Sequence, residues 1–313
     1  LTFTGGDHSG DGNMANIYAK HTNVTENSEN TNMHFETAIS ESSIEQLRFT
    51  DAGSIFNENS ADLDFRVESN ANTHALFVDG GNNAVGINTN EPNAYVSYGH
   101  DLVVYSTGTT GITIATNNTS AETALVFADS NSGDARGAGA IVYQNATDSM
   151  RITTGGNHYP MTVTYDDGVK LPYQPAFSAK PTNTSDNQNL AINTTHELVF
   201  GTEIFDIGGN FASSAFTAPH TGKYQLNAQI RTNALDTDTS YHQLSIATSN
   251  RIYTSIVTVS SMSSDAGYWT MNIHVLADMD ASDTAVVKFH VPNSGAAIAD
   301  IEQDSYFSGF YVC

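Results

Sequence analysis

Apolar residues in this chain alternate with polar ones over short runs and almost never recur at helical spacing. Residues 63–67, 75–78, 111–114, 123–127 and 140–143 are such runs, rich in β-branched and aromatic side chains, and each predicts a strand. Clusters of Gly, Asn, Asp and Ser at 79–83, 130–134 and 166–168 separate them and supply the positive-φ residues of hairpin turns. Only 41–47 reads as a short helical turn. Up to about Leu171 the strands are thin, with two or three large apolar side chains each. One such strand cannot form a core, so these segments predict stacking with copies of themselves around a threefold axis. No strict repeat period favours a solenoid.

Past Leu171 the texture changes. Pro172, Pro175 and Pro181 cluster, and a polar run over 182–189 reads as a junction into a denser domain. Aromatics then appear at strand spacing, among them Phe177, Phe200, Phe211, Phe216, Tyr224, Phe289, Phe307 and Phe310, enough to fill a two-sheet sandwich. The predicted organisation is a shaft segment over 1–100, a β-rich module over 101–173 and a C-terminal domain over 174–313.

Composition narrows the function. The 313 residues carry 34 acidic and 11 basic side chains, a net charge of −23, and only 14% are charged. Scattered cations argue against nucleic acid and against an anionic membrane surface. No apolar run approaches the length of a membrane helix, so no membrane insertion is expected. Cys313 is the one cysteine and cannot close an intrachain disulfide. The chain begins at Leu1, which suggests a fragment or a processed product.

Two resemblances follow from particular residues. Val85-Gly86-Ile87 followed by Thr89 and Pro92 resembles an element of bacteriophage tail fibres and related trimeric fibre proteins. In 174–313, five blocks resemble, in order, the complement C1q-like globular domain of the tumour-necrosis-factor jelly-roll superfamily. They are the opening 175–179, the block 198–211, Phe216 with Gly222 and Tyr224, the late turn 276–289, and the closing 306–312. In the late turn a Ser stands where that family prefers Gly. The resemblance implies a jelly-roll β-sandwich and a tight homotrimer. The fold class is therefore all-β, a trimeric β-rich fibre shaft followed by a C-terminal jelly-roll head. Gly309, inside the closing strand, is expected where a neighbouring group approaches closely.

Chemistry is sparse. G-x-S-x-G, P-loop and dinucleotide fingerprints are absent, and the 11 histidines show no metal-ligand spacing. The run 278–283 fails the EF-hand template at its sixth and twelfth positions. No cofactor is expected, although the resemblance allows calcium near a threefold axis, for which Asp236, Asp238, Asp300 and Asp304 are candidates. Paired carboxylates of a glycan-cleaving enzyme carry no specific signal here, and a non-enzyme is expected. The loop residues Tyr241, His242, Tyr268 and Trp269 are the candidate receptor contacts, since aromatic and paired polar groups recognise sugars. The expectation is a bacteriophage fibre protein on the virion, outside the cell. It binds a host-surface glycan or protein through its head and other virion proteins through its N-terminal side. The rivals are a structural spacer or decoration protein without a receptor, and a bacterial surface adhesin.

Overall fold

A computed structural model describes residues 2–7, 10–23, 30–39, 42–57, 60, 62–155, 158–292 and 299–313. Nearly every element is a strand. Two compact units divide the chain, Leu1–Ile114 and Ala115–Cys313.

The first unit holds two sheets. One is an antiparallel meander of β1 (Thr2–Asp7), β2 (Gly10–Asn23), β3 (Asn30–Ile39), β4 (Ser42–Thr50) and β5 (Gly53–Phe56). The helical turn expected at 41–47 does not form. Residue 41 lies outside the described residues, and 42–47 belong to β4, which is hydrogen-bonded on both edges by β3 and β5. The second sheet joins β6 (Phe65–Val67), β7 (Leu76–Asp79), β8 (Ala84–Ile87) and β9 (Leu102–Val104), with β8 and β9 parallel. The Val-Gly-Ile element forms β8. Gly86 leaves no room for a Cβ, because the Thr89 backbone carbonyl lies against it. The run 111–114 carries no strand. Ile112 is 72% exposed, and among the described residues no strand pairs with it.

The second unit opens with an antiparallel sheet of β10 (Glu122–Phe127), β11 (Gly139–Gln144), β12 (Ser149–Thr154), β13 (His158–Val163) and β14 (Val169–Lys170). A two-sheet jelly roll follows. The strands are β15 (Ala176–Lys180), β16 (Thr195–Glu197), β17 (Thr202–Ile207), β18 (Phe211–Ala212), β19 (Ala215–Thr217), β20 (Gly222–Leu235), β21 (Tyr241–Thr248), β22 (Ile252–Thr258), β23 (Ala266–Met279), β24 (Thr284–His290), β25 (Asp300–Ile301) and β26 (Tyr306–Tyr311). One sheet runs β17-β15-β26-β20-β23 and the other β18-β19-β24-β21-β22. The chain crosses repeatedly between the sheets, with β18–β19 and β21–β22 as consecutive pairs within one of them, and the core is shared by both.

Phe177 on β15 joins the two layers. Its ring stacks on Phe211 at 4.9 Å and Phe216 at 4.7 Å from the opposite sheet, and meets Phe307 of its own sheet edge-on at 4.9 Å. Tyr224, Leu226, Ala228 and Ile230 alternate inward along β20 and are fully buried. The Tyr224 hydroxyl donates to the His220 carbonyl at 2.7 Å, clamping the turn before β20. The same alternation turns some aromatics outward. Phe307 and Gly309 face the core, so Tyr306 and Phe310 do not, and Phe205 is also half exposed. The polar run 182–189 is held rather than slack. Asn187 exchanges hydrogen bonds with the Val199 backbone at 2.6 and 2.9 Å, and Gln188 donates to the Ile301 carbonyl.

Two backbone positions yield a stability prediction. A Cβ on Gly309 would lie 2.7 Å from Leu226 Cδ2, 2.8 Å from Phe177 Cε1 and 3.0 Å from the Gln225 carbonyl, all in packed surroundings. Gly309→Ala should destabilise the sandwich by about 1–3 kcal/mol through overpacking. Ser282 sits at φ 78°, where a side chain is strained and glycine is not. Ser282→Gly should leave stability unchanged or raise it by a few tenths of a kcal/mol, at roughly the scale of other left-handed positions. Thermal unfolding of both variants beside the unsubstituted chain reads the two signs.

Candidate functional site

The loops that carry the predicted contacts lie at one end of the sandwich. The 236–240 loop leaves β20 and enters β21, and the 259–265 loop leaves β22 and enters β23. They are tied together because Asp265 Oδ1 accepts from the Thr237 amide at 2.9 Å and the Thr237 hydroxyl at 2.6 Å. Those two bonds hold the Asp265 carboxyl below its usual range. Underneath, the Thr239 hydroxyl donates to the Pro292 carbonyl at 2.6 Å, buried.

The four candidate residues do not form one site. Tyr241 and His242 sit on β21 in one sheet, Tyr268 and Trp269 on β23 in the other. Tyr268 is 59% exposed, and its ring is capped by the Arg231 guanidinium at 4.5 Å, which also pairs with Asp304. Trp269 has the parity of the inward-facing Met271 and Ile273 but lies beyond the covered core, and remains part exposed. Tyr241 is half-buried, with its ring 6.4 Å from that of His290.

His242 requires a correction. It alternates with Leu244 and Ile246 on the inward face of β21, is fully buried, and meets Phe289 edge-on at 5.6 Å. A receptor on the outside of this chain does not reach it. Among the described residues neither ring nitrogen has a hydrogen-bond partner. Burial therefore depresses its pKa from 6.5 to about 4, with Asp236 opposing weakly.

The acidic calcium candidates are engaged within the chain. Asp236 accepts from the Asp238 amide, Asp300 from the Asn189 amide, and Asp304 pairs with Arg231. Among the described residues one group has metal-ligand types close together, His34, Glu36 and Glu45 on the first sheet. A bulge at Phe35/Glu36 brings Glu45 onto the face shared by His34 and Arg48. Glu45 accepts from His34 Nδ1 at 2.5 Å and pairs with Arg48 at 2.9 Å. Burial would raise the Glu36 carboxyl, but hydrogen bonds from Ser43, Tyr18 and Asn16 outweigh it and hold it below the usual range. In return, the bond to Glu36 pushes the Tyr18 hydroxyl up to about 12. These donors occupy the Glu36 carboxylate, but His34 Nε2 and Glu45 Oε1 are buried without a hydrogen-bond partner among the described residues, the latter held only by its ion pair with Arg48. The sequence signal of this group was the i, i+2 pair His34 and Glu36 on one strand face. The partner Glu45 is legible only once the bulge is known.

No protein-family model and no curated protein matches the chain. Among solved structures it is similar to the globular domain of zebrafish complement 1qA protein, at 14% identity and a TM-score of 0.35, over 45% of this chain and 98% of that one. It is also similar to murine APRIL, at 14% identity and a TM-score of 0.33, over 44% of this chain and 99% of that one.

The buried imidazole carries a pH prediction. Its folded pKa lies below the unfolded value, so its contribution is complete above about pH 6.5 and is lost as pH falls toward about 4. Across that window the sandwich should lose on the order of 2 kcal/mol, and His242→Leu should remove that part of the acid slope. Urea unfolding near neutral pH and in mild acid measures both. An unchanged slope in the variant would assign the acid sensitivity to other groups.

Proposed function

We propose that this chain is the distal part of a homotrimeric bacteriophage fibre whose jelly-roll head attaches to a host surface, acting by binding rather than by catalysis. The observation that carries the assembly is the uncovered face of the β10–β14 sheet. One row across it is Leu125, Ile141, Ile152 and Met161, and the next is Tyr143, Met150, Val163 and Val169. Leu125, Ile141, Ile152, Met150 and Val169 are 41–59% exposed, and none of the eight positions bears a formal charge. A contiguous apolar face of this extent marks an interaction surface. Copies of a chain with net charge −23 repel, so a contact between them must be made where charge is absent.

The same design recurs in the other sheets. In the first sheet, Ile17, Phe35, Leu47 and Phe56 form a row beside Met33 and Phe49, while Tyr18, His34 and Arg48 take the other face. On the jelly roll, Ile207, Phe310 and Leu276 lie outward in one row of the β17-β15-β26-β20-β23 sheet. Three sheets each leave an apolar face for another copy, which supports a shared core along the whole chain. The fibre identity rests on the Val85-Gly86-Ile87 to Pro92 resemblance. Within the head, Tyr268 with Arg231 is the exposed aromatic and cation pair that supports receptor contact.

Light scattering of the full chain should give about three chains per particle. Ile152→Asp, which places a charge in the centre of the apolar row, should weaken assembly while leaving the jelly roll folded. A monodisperse, stable monomer of the unsubstituted chain at micromolar concentration would overturn the assembly. For attachment, the labelled trimer should adsorb to susceptible cells and compete with infection, and Tyr268→Ala should reduce adsorption without changing particle mass. A correct trimer that neither adsorbs nor competes leaves a virion spacer instead.

A further inference from the structure

On the face of the β10–β14 sheet opposite the apolar rows, β10 and β11 carry Ala124, Val126, Ala140 and Val142, while β12–β14 are polar. A groove of about 670 Å³ opens there, between β12–β14 and the segment that follows β13. Register explains its contents. Arg151, Thr162 and Lys170 stand in one row across β12, β13 and β14, and Ser149 shares the face two residues away. The backbones of Arg151 and Lys170 are two strand spacings apart, roughly 10 Å.

Two cations in one groove are unusual in a chain with only 11 lysines and arginines and a net charge of −23. Arg151 reaches Glu122 at 3.4 Å on its far side. Lys170 makes no ion pair with a described residue. Asp166, the carboxylate in the groove, accepts from the Thr164 hydroxyl and its charge acts on Lys170. The lining thus carries two cations to one anion, a local excess of positive charge in an acidic chain.

Aromatic rings complete the walls. The Arg151 guanidinium lies over the Tyr159 ring at 4.9 Å, which fixes both side chains. Tyr165 is 79% exposed and Tyr173 55% exposed, each presenting a ring to solvent. Along the floor, Thr147 donates to Gln144 at 2.8 Å and lies 2.8 Å from the Ser149 hydroxyl, a chain of groups that can exchange partners. Exposed rings stack on the C–H faces of sugars, and hydroxyl and amide groups match sugar hydroxyls. The positive pair adds a demand for a carboxylate. A polynucleotide needs Lys and Arg clustered along its backbone, and this groove offers two cations. An apolar small molecule would find no enclosed apolar wall.

We infer that this groove is an acidic-oligosaccharide site, with a sugar carboxylate between Lys170 and Arg151 and pyranose rings against Tyr165 and Tyr173. It lies in the sheet that precedes the jelly roll, away from the head loops, and it does not depend on their role. It faces away from the apolar rows, so assembly through those rows leaves it open on every copy. Each shallow groove binds weakly, and several on one particle raise avidity.

The test titrates the full chain with tetragalacturonate, with its fully methyl-esterified neutral form, and with an oligomer of sialic acid as a second carboxylate source. At least one carboxylated oligomer should bind tenfold or more tightly than the neutral ester, and added salt should weaken it. Tyr165→Ala and Lys170→Gln should each weaken that binding at least fivefold at unchanged melting temperature, while Lys170→Arg retains most of it. Particle mass, measured on the same samples, reports assembly separately from saccharide binding. The inference is overturned if neither carboxylated oligomer outbinds the neutral ester, or if Tyr165→Ala and Lys170→Gln bind like the unsubstituted chain.

Discussion

A single β-sheet has two faces, and a chain must cover at least one of them to hold a fold. Here only the jelly roll covers its own inner faces, by placing one sheet on another around Phe177. Among the described residues no second sheet covers the meander of β1–β5 or the sheet of β10–β14, and most of their apolar rows remain open, although Phe56 meets Phe65 of β6 at 4.9 Å. Everything else about the molecule follows from that difference. The sandwich buries Tyr224, Leu226, Ala228 and Ile230 completely, whereas the best-placed apolar residues of the β10–β14 sheet stay about half exposed.

Charge has a complementary distribution. The acidic excess is spread over turns and polar faces and is missing from the apolar rows. Where charges enter the first sheet they pair locally, although His34 Nε2 and Glu45 Oε1 stay buried without a hydrogen-bond partner among the described residues. Glu45 sits between His34 and Arg48, and Glu36 collects three donors, so the polar face of the first sheet is knit together by hydrogen bonds rather than by packing. In the sheet of β10–β14 the polar face does the reverse. It sets Arg151 and Lys170 beside a single groove carboxylate, Asp166, and exposed tyrosines.

The candidate site was only partly legible in the residues. Tyr268 is exposed and partnered by Arg231, a contact joining positions 37 apart that no local pattern announces. His242 was misread because aromatic and polar residues near a loop suit either surface or core. One residue of strand parity decides between them, and that parity is set by where β21 begins. Glu45 was invisible for a related reason, since a bulge shifts its face. The groove at Arg151 and Lys170 arises from register between strands separated by turns, and neither cation is near the other in sequence.

The all-β class, the hairpin turns, the strand at Val85-Gly86-Ile87 and the dense C-terminal sandwich were each determined by the sequence alone. These depend on local rules: period-two alternation, positive-φ residues at turns, and the missing Cβ of Gly309 inside a strand. Tertiary structure decided which face of each strand is covered, that 42–47 extend rather than coil, and that 111–114 find no partner. A strand's alternation specifies two faces but not which one meets another layer. That choice belongs to the neighbour, and the neighbour is supplied by a distant part of the chain.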